Sequence, residues 1–445
     1  MREKIHRQLR LVSGRIDHVH AREWDTISAI LDSAPAALTW VHEDLVGGPR
    51  SPRAGRVAMS SEQVLRALIV KQLNGFSYEE LGFHLEDSLT YRRFCRFGIG
   101  EQAPRRSTLQ ANIKQIKPTT LEMINRMVVR EAVDRKVESG TKVRIDCTVV
   151  DSNIHHPTDS TLLRDCVRVL VRLMKRARWW VPTQFVNHLK RVRRRVLEIL
   201  NAKAHRFMIP KYREVLKLTS RTLESAKKVI ADLGPISKPG AKQLRTKMAQ
   251  FHALAERVVD QTIRRIVHQE KVPPQEKVVS IFEHHTDIIV KDRREVLYGH
   301  KVCIAAGASG LVFDLQTLSG NPNDSSLAVA AVERTAKVTG RTPSDVVFDG
   351  GFAARQNLAD IQALGVKNVV FSKHLGLNVT EMARNRTTYQ ALRNFRAGIE
   401  ATISTLKRAF GLDRCTWRGE ASFHAYAWSS VLACNLLQFA RHLLS

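Results

Sequence analysis

Lys142-Val-Arg-Ile-Asp-Cys-Thr-Val-Val-Asp-Ser152 breaks the helical periodicity of everything before it. Val143, Ile145, Cys147 and Val149 alternate with Arg144, Asp146, Thr148 and Val150, the two-residue repeat of a strand whose successive side chains take opposite faces. Asp146 therefore faces away from Val143 and Ile145. A carboxylate inside an apolar strand is costly to bury without a partner or a metal ion, which makes Asp146 the first candidate functional residue.

Downstream of this stretch the two-residue period returns over 277–282, 286–290, 298–306 and 311–318, with Gly307-Ala-Ser-Gly310 as a connecting turn. This predicts an antiparallel meander. After Gly320-Asn-Pro-Asn-Asp324 the pattern predicts a helix over 325–340, a short buried strand over 345–349, a helix over 353–364 and a strand over 366–372. Two helices over 390–410 and 422–444 close the chain, so the fold class is mixed α/β. Asp349 ends the run Val346-Val-Phe-Asp-Gly-Gly351, where two glycines permit a sharp exit and close approach of a ligand or backbone. Taken alone, an aspartate before glycine is more often a turn residue.

Glu400 is marked by its neighbours. Arg393, Arg396 and Lys407 stand seven before, four before and seven after it, which places all four on one helix face. The apolar stripe Phe395, Ile399, Ile403, Leu406 and Phe410 is set about 100° away. An acid among cations able to hold phosphates suits DNA strand cleavage, in which carboxylates hold two magnesium ions ~4 Å apart. The alternative is an Arg396–Glu400 surface ion pair worth a few tenths of a kcal/mol.

Upstream, helical patterns over 23–31 and 35–46 lead to the Gly/Pro/Arg run 47–56, which reads as a linker. Ser60 with Gln63, and Ser77 with Glu80, are capping boxes that start two helices, the first stopped by Asn74-Gly75. Further short helices are predicted over 89–97 and 107–116. With Arg92, Arg93, Arg96, Arg105 and Arg106 clustered there, the region resembles a helix-turn-helix unit able to lay one helix in a major groove. A plain helical bundle with solvated arginines fits the same residues. Between the strand of Asp146 and the meander, 160–272 is helical, broken near 234–240. It is densely basic, including Arg193 and Arg194, opposite an apolar stripe of Leu189, Val192, Val196, Ile199 and Leu200.

Lys plus Arg outnumber Asp plus Glu by 71 to 43, a net charge of +28, which points to a polyanionic partner and tips both basic regions toward DNA. Charge alone does not separate an enzyme on DNA from a binding protein. The six cysteines are scattered without zinc-ligand spacing and read as reduced thiols. With no apolar signal core and no stretch of ~18 apolar residues, a cytosolic protein is expected. His155 and His156 would take opposite faces of a strand and rarely share a metal. Asp324 reads as a helix cap or turn residue, and Trp417 and Trp428 as core fillers rather than base-stacking platforms.

Arg396, Glu400 and Lys407 match the R-(3)-E-(6)-K part of the signature of bacterial insertion-sequence transposases of the IS-four/IS-five-like superfamily, and the chain looks especially like the ISNCY group. Where the signature has tyrosine, this chain has Arg393. Arg144-Ile-Asp-Cys-Thr-Val-Val-Asp-Ser-Asn153 with His156-Pro-Thr-Asp-Ser160 resembles their first-aspartate block. Tyr298-Gly-His-Lys301, Gly320-Asn-Pro-Asn-Asp-Ser325 and Phe348-Asp-Gly-Gly351 resemble the blocks through the second aspartate.

The resemblance implies an RNase H-like catalytic core, residues 141–164 and 273–445, interrupted by a large basic helical insertion at 165–272. Ahead of it would stand a segment and linker at 1–56 and an all-helical DNA-binding region at 57–140. Asp146, Asp349 and Glu400 would be the catalytic, metal-binding triad, using Mg2+ or, in its place, Mn2+. Arg393, Arg396, Lys407, Arg105, Arg106, Arg193 and Arg194 would contact DNA. The partners implied are double-stranded DNA, both element terminal inverted repeats and target, and further copies of the chain in a homo-oligomer, on the nucleoid of a bacterial cytoplasm. Two alternatives stay open, a catalytically inactive DNA-binding relative and a nuclease on the same core without strand transfer.

Overall fold

The structure is a computed structural model that describes residues 18–47, 58–98, 100–291, 295–373 and 375–445. Apart from Gly47, the expected linker lies outside the described residues.

Among the described residues seven helices come first: α1 (Val19–Asp32), α2 (Pro35–Val46), α3 (Ser61–Asn74), α4 (Tyr78–Asp87), α5 (Leu89–Phe94), α6 (Arg106–Ile113) and α7 (Pro118–Asp134). Both capping boxes form, and Gly75, at φ 67°, ends α3 in the left-handed conformation that glycine adopts without a Cβ penalty. α7 has no counterpart among the helices expected from the sequence. Its start carries Pro118 but no capping side chain, although Leu121, Ile124, Val128, Val129 and Ala132 bury one face.

β1 (Lys142–Asp151) follows, then four helices, α8 (Asp159–Ala177), α9 (Leu189–Leu200), α10 (His205–Asp232) and α11 (Pro239–Thr262). The chain returns through β2 (Asp287–Lys291), β3 (Glu295–Ala306), β4 (Val312–Thr317), α12 (Ala328–Thr339), β5 (Asp345–Phe348), α13 (Arg355–Ala363) and β6 (Asn368–Phe371). It ends with α14 (Val379–Met382), α15 (Arg386–Phe410) and α16 (Glu420–Leu444). The sheet order is β2-β3-β1-β5-β6, with β4 also on β3. β1 runs antiparallel to β3 and parallel to β5, and β5 parallel to β6, so the fold is mixed α/β.

The strand expected over 277–282 is not formed. Val278 and Ile281 are buried against the α8–α11 bundle instead. The Gln261 side chain supplies the hydrogen bonds a ladder would have given, accepting from the Val278 N–H at 2.8 Å and donating to its carbonyl at 3.2 Å. An apolar run reports burial, and a side-chain amide can stand in for a neighbouring strand. On α9, Val192, Val196 and Ile199 are buried, whereas Leu200, expected on that stripe, is exposed at the helix end.

Two apolar cores result. One joins α1–α7, the sheet and the C-terminal helices, with α16 packed on α7, α1 and α3. At its centre the Asn435 side chain bonds both the N–H and the carbonyl of Val312 and reaches the Asn125 amide. Trp417 and Trp428 are buried in this core, as expected of them. The other core belongs to α8–α11. Among the described residues no helix is long and apolar enough to cross a membrane.

Candidate active site

The parallel register of β1 and β5 sets Arg144 opposite Val347 and Ile145 opposite Phe348, so Asp146 and Asp349 emerge side by side one residue further on. α15 crosses β1, β5 and β6 and brings Glu400. Its approach is close because Gly398 has no side chain: a Cβ there would overlap the Arg144 guanidinium, which lies over the Phe395 ring at 4.9 Å and donates to the Phe395 carbonyl at 3.4 Å.

Arg396, one turn before Glu400, joins the three acids. Its guanidinium lies 2.8 Å from Asp349, 3.1 Å from Glu400 and 3.8 Å from Asp146. Asp146 also accepts from the Cys147 N–H at 2.7 Å, and Asp349 from the Ser372 hydroxyl at 2.9 Å. Exposure rises across the trio, from 17% for the Asp146 side chain through 39% for Asp349 to 62% for Glu400, so the acids run from the sheet out to solvent.

The two aspartates are pushed apart in acidity. Burial drives the Asp146 carboxyl up to about 6, the neighbouring charges of Asp349 and Asp324 acting the same way against the Cys147 N–H and Arg396. Burial also pulls Asp349 upward, but the Gly350 N–H, the Ser372 hydroxyl, Arg396 and Lys373 together outweigh it and hold that carboxyl below its ordinary value.

The Asp146 shift has a sign that can be tested. Below about pH 4 both folded and unfolded chains hold the proton, and between about 4 and 6 only the folded chain does, so stability falls as pH rises through that window. Above it the whole penalty, about 3 kcal/mol for a shift of roughly two units, is present. In EDTA, Asp146→Asn should therefore raise stability toward urea at pH 7.5 and leave it unchanged at pH 4. Equal stability at both pH values would show that Asp146 carries no such penalty.

Two groups that the sequence reading left aside belong to this neighbourhood. Asp324, read as a cap or turn residue, pairs with Lys301 at 2.7 Å, and Lys301 also donates to the Pro322 carbonyl at 2.7 Å. Gly351 sits directly against Asp324, where a Cβ would fall 2.8 Å from a carboxylate oxygen. Lys301 and Asp324 come from either side of the β3–β4 hairpin, which no local spacing announces. His300 is engaged inside the fold, bonded to Asp287 at 3.0 Å and His285 at 2.7 Å.

The basic residues expected to meet DNA are dispersed. Arg393 is exposed on α15, and Lys407 faces Asp413 at 3.7 Å. Arg105 is exposed at the start of α6, and Arg106 pairs with Glu79 at 3.2 Å. Arg193 and Arg194 are exposed on α9, Arg194 lying 3.7 Å from Glu198. Other arginines of the N-terminal cluster serve the fold: Arg92 is buried and donates to the Leu85 carbonyl, and Arg96 pairs with Asp32 and Glu62.

Two family models match the chain. The one described as "Transposase domain (DUF772)" covers residues 15–115, and "Transposase DDE domain" covers 253–436. The chain belongs to the insertion-sequence DDE transposases. Asp349 and Glu400 fall within the DDE match, whereas Asp146 precedes it and is tied to it by β1, which lies between β3 and β5 of the matched region. The transposase is also similar to "Uncharacterized protein ORF8 in nfe locus" of Rhizobium meliloti, 28% identical over 163 residues, 34% of this chain and 79% of that protein. No solved structure matches. The DDE domain implies an RNase H-like core, and transposases of this class generally use divalent metals.

Among the described residues no three His, Cys, Asp or Glu side chains stand arranged to hold a metal ion, and Arg396 lies between the three acids. The donor set nevertheless suits a hard divalent cation, being all carboxylate oxygen, and the largely buried Asp146 has its nearest cation, Arg396, at 3.8 Å, beyond hydrogen-bond distance.

Proposed function

We propose that this transposase cleaves DNA at the ends of an insertion sequence and joins the freed ends to target DNA, with Asp146, Asp349 and Glu400 holding two magnesium ions. The observation that carries the reading is the meeting of three acids, from β1, the end of β5 and α15, on the single guanidinium of Arg396. Bound Mg2+, or Mn2+ in its place, supplies activation of the attacking oxygen and charge stabilisation at the leaving one.

In the first step a water oxygen bonds to phosphorus as the P–O3′ bond breaks, leaving a 5′-phosphate and a free 3′-hydroxyl. In the second, that hydroxyl attacks a target phosphodiester and a target 3′-hydroxyl leaves, so bonds and protons balance without a covalent protein intermediate. Asp146, nearly out of solvent, fixes its carboxylate on a rigid central strand, while Glu400 stands at the open side where DNA enters. Arg396 holds the acids together in the free protein. As DNA docks, a phosphate competes for that guanidinium through charge-assisted bonds and draws it off the carboxylates. Arg393 and Lys407 extend the same helix face along the strand, with Arg105, Arg106, Arg193 and Arg194 as outlying backbone contacts. Two ends must be joined in one event, which calls for at least two copies on nucleoid DNA.

The test is a supercoiled plasmid carrying the element's own ends, incubated with the protein in Mg2+, in Mn2+ and in EDTA. Cutting at the ends and joined products in either metal are expected, with EDTA abolishing both while a mobility shift persists. Cutting without joined products would make the protein a nuclease. Binding without cutting in any metal would make it a DNA-binding relative.

A further inference from the structure

A cleft of about 710 Å3 opens between the α3–α4 turn and the segment that follows α15. Its wall includes Lys71, Tyr78 and Trp417, whose three hydrogen-bond donors have no acceptor among the described residues. The Tyr78 hydroxyl and the Trp417 indole N–H are both buried without a hydrogen-bond partner among the described residues. The Lys71 side chain, only 6% exposed, makes no hydrogen bond or ion pair among the described residues; its ammonium stands 5.1 Å from the Tyr78 ring centroid. The Tyr78 and Trp417 rings are stacked with centroids 6.5 Å apart, so the Tyr78 ring touches both of the other side chains.

Neighbours in the same cleft are satisfied: Gln72 donates to the Phe410 carbonyl at 2.6 Å and to Ser430 at 2.8 Å, and the Tyr426 hydroxyl to the Gly411 carbonyl at 2.9 Å. The orphaned donors are therefore local to these three side chains. Buried polar groups left unpaired are rare and costly, and the Tyr78 hydroxyl and Trp417 N–H, on the same wall as an ammonium with no acceptor among the described residues, mark a place for an acceptor. Burial lowers Lys71 to about 8, against the opposing pull of the Glu80 carboxylate, the direction expected of an ammonium taken out of water without a close counter-charge.

The acids nearby are otherwise occupied. Glu80 closes its capping box, Glu79 is an exposed rim residue paired with Arg106, and Asp413 is exposed beside Lys407. Arg106, Lys114 and Arg414 add positive charge to the walls. Gly411, which caps α15, follows Glu400 by eleven residues, about 16 Å along the helix axis, the length of roughly five base pairs.

We propose that this cleft binds a backbone phosphate of the DNA strand whose scissile bond lies at Glu400, with Lys71, Tyr78 and Trp417 as its donors. The inference rests on the DNA-cleaving reading above and adds a strand-positioning subsite between the N-terminal helices and the catalytic sheet.

Tyr78→Phe and Lys71→Met test it, since each removes a donor with little change of shape. Removing an orphaned polar group from a free protein should leave thermal stability unchanged or raise it, whereas removing a fold-supporting hydrogen bond would lower it. Each variant is expected to bind a labelled duplex carrying the element end about tenfold more weakly than native protein. Lys71→Met should also reduce the slope of log affinity against log salt by about one, the loss of one phosphate contact. Native affinity and an unchanged slope in both variants would overturn the subsite while leaving the DNA-cleaving reading intact. Failure of native protein to bind the duplex would overturn both, and lowered stability in Tyr78→Phe would assign that hydroxyl to the fold.

Discussion

Glu400→Gln should bind element-end DNA as tightly as the native transposase and cleave it at least about a thousandfold more slowly. The substitution keeps the size of the side chain and an oxygen able to accept from Arg396, 3.1 Å away, and removes the charge. Because the native side chain is 62% exposed, its replacement should leave stability within about 0.5 kcal/mol. Loss of a group that stabilises developing charge in a transition state typically costs 10²–10³ in rate, and loss of a metal ligand removes activation of the attacking oxygen as well. Were Glu400 a surface ion-pair residue, the same change would cost a few tenths of a kcal/mol in stability and nothing in rate. Cleavage rates and dissociation constants measured side by side separate these outcomes. Asp349→Asn should behave alike, and a variant of either residue that cuts at the native rate would remove that acid from the mechanism.

Much of the fold was readable because local chemistry and global packing agree. The alternation over β1, the capping boxes at Ser60 and Ser77 and the glycine ending α3 are each local signals with a single structural meaning. The 277–282 run misled because alternation encodes burial on one side and says nothing of what satisfies the backbone; there Gln261 does. α7 went unassigned because its start lacks a side-chain cap, even though its buried face is well formed.

The candidate site was legible as far as its acids. What spacing cannot carry is partnership between distant elements. The i,i+4 relation of Arg396 and Glu400 was visible, but that the same guanidinium reaches Asp349 depends on how α15 crosses β5. Lys301 and Asp324 meet across a hairpin, and the Tyr78–Trp417 stack joins residues far apart in the chain. Clustered charge was a weaker guide, because Arg92 serves backbone carbonyls and Arg96 pairs with Asp32 and Glu62. A cation count measures affinity for a polyanion only after such internal commitments are subtracted.

The position of α15 over the sheet leads to a second large effect. Gly398→Ala should lower the cleavage rate about a hundredfold and lower the thermal stability, although in an exposed helix interior the same change would stabilise by about 1 kcal/mol. The added Cβ would occupy the place of the Arg144 guanidinium, which is held over Phe395 and bonded to its carbonyl. Either Arg144 is expelled from a site where it is 8% exposed, or α15 moves outward and carries Glu400 away from Asp146 and Asp349. Arg144 has no carboxylate partner among the ion pairs of the described residues, and burial lowers its pKa, so replacing it with a flexible apolar side chain is not expected to be costly. Arg144→Met combined with Gly398→Ala should therefore recover most of both the rate and the stability, because Met can bend away from the new methyl group. A single Gly398→Ala variant that is more stable and fully active would show that the helix tolerates the methyl group without moving. A double variant that recovers stability but not rate would instead give Arg144 a role of its own at the site.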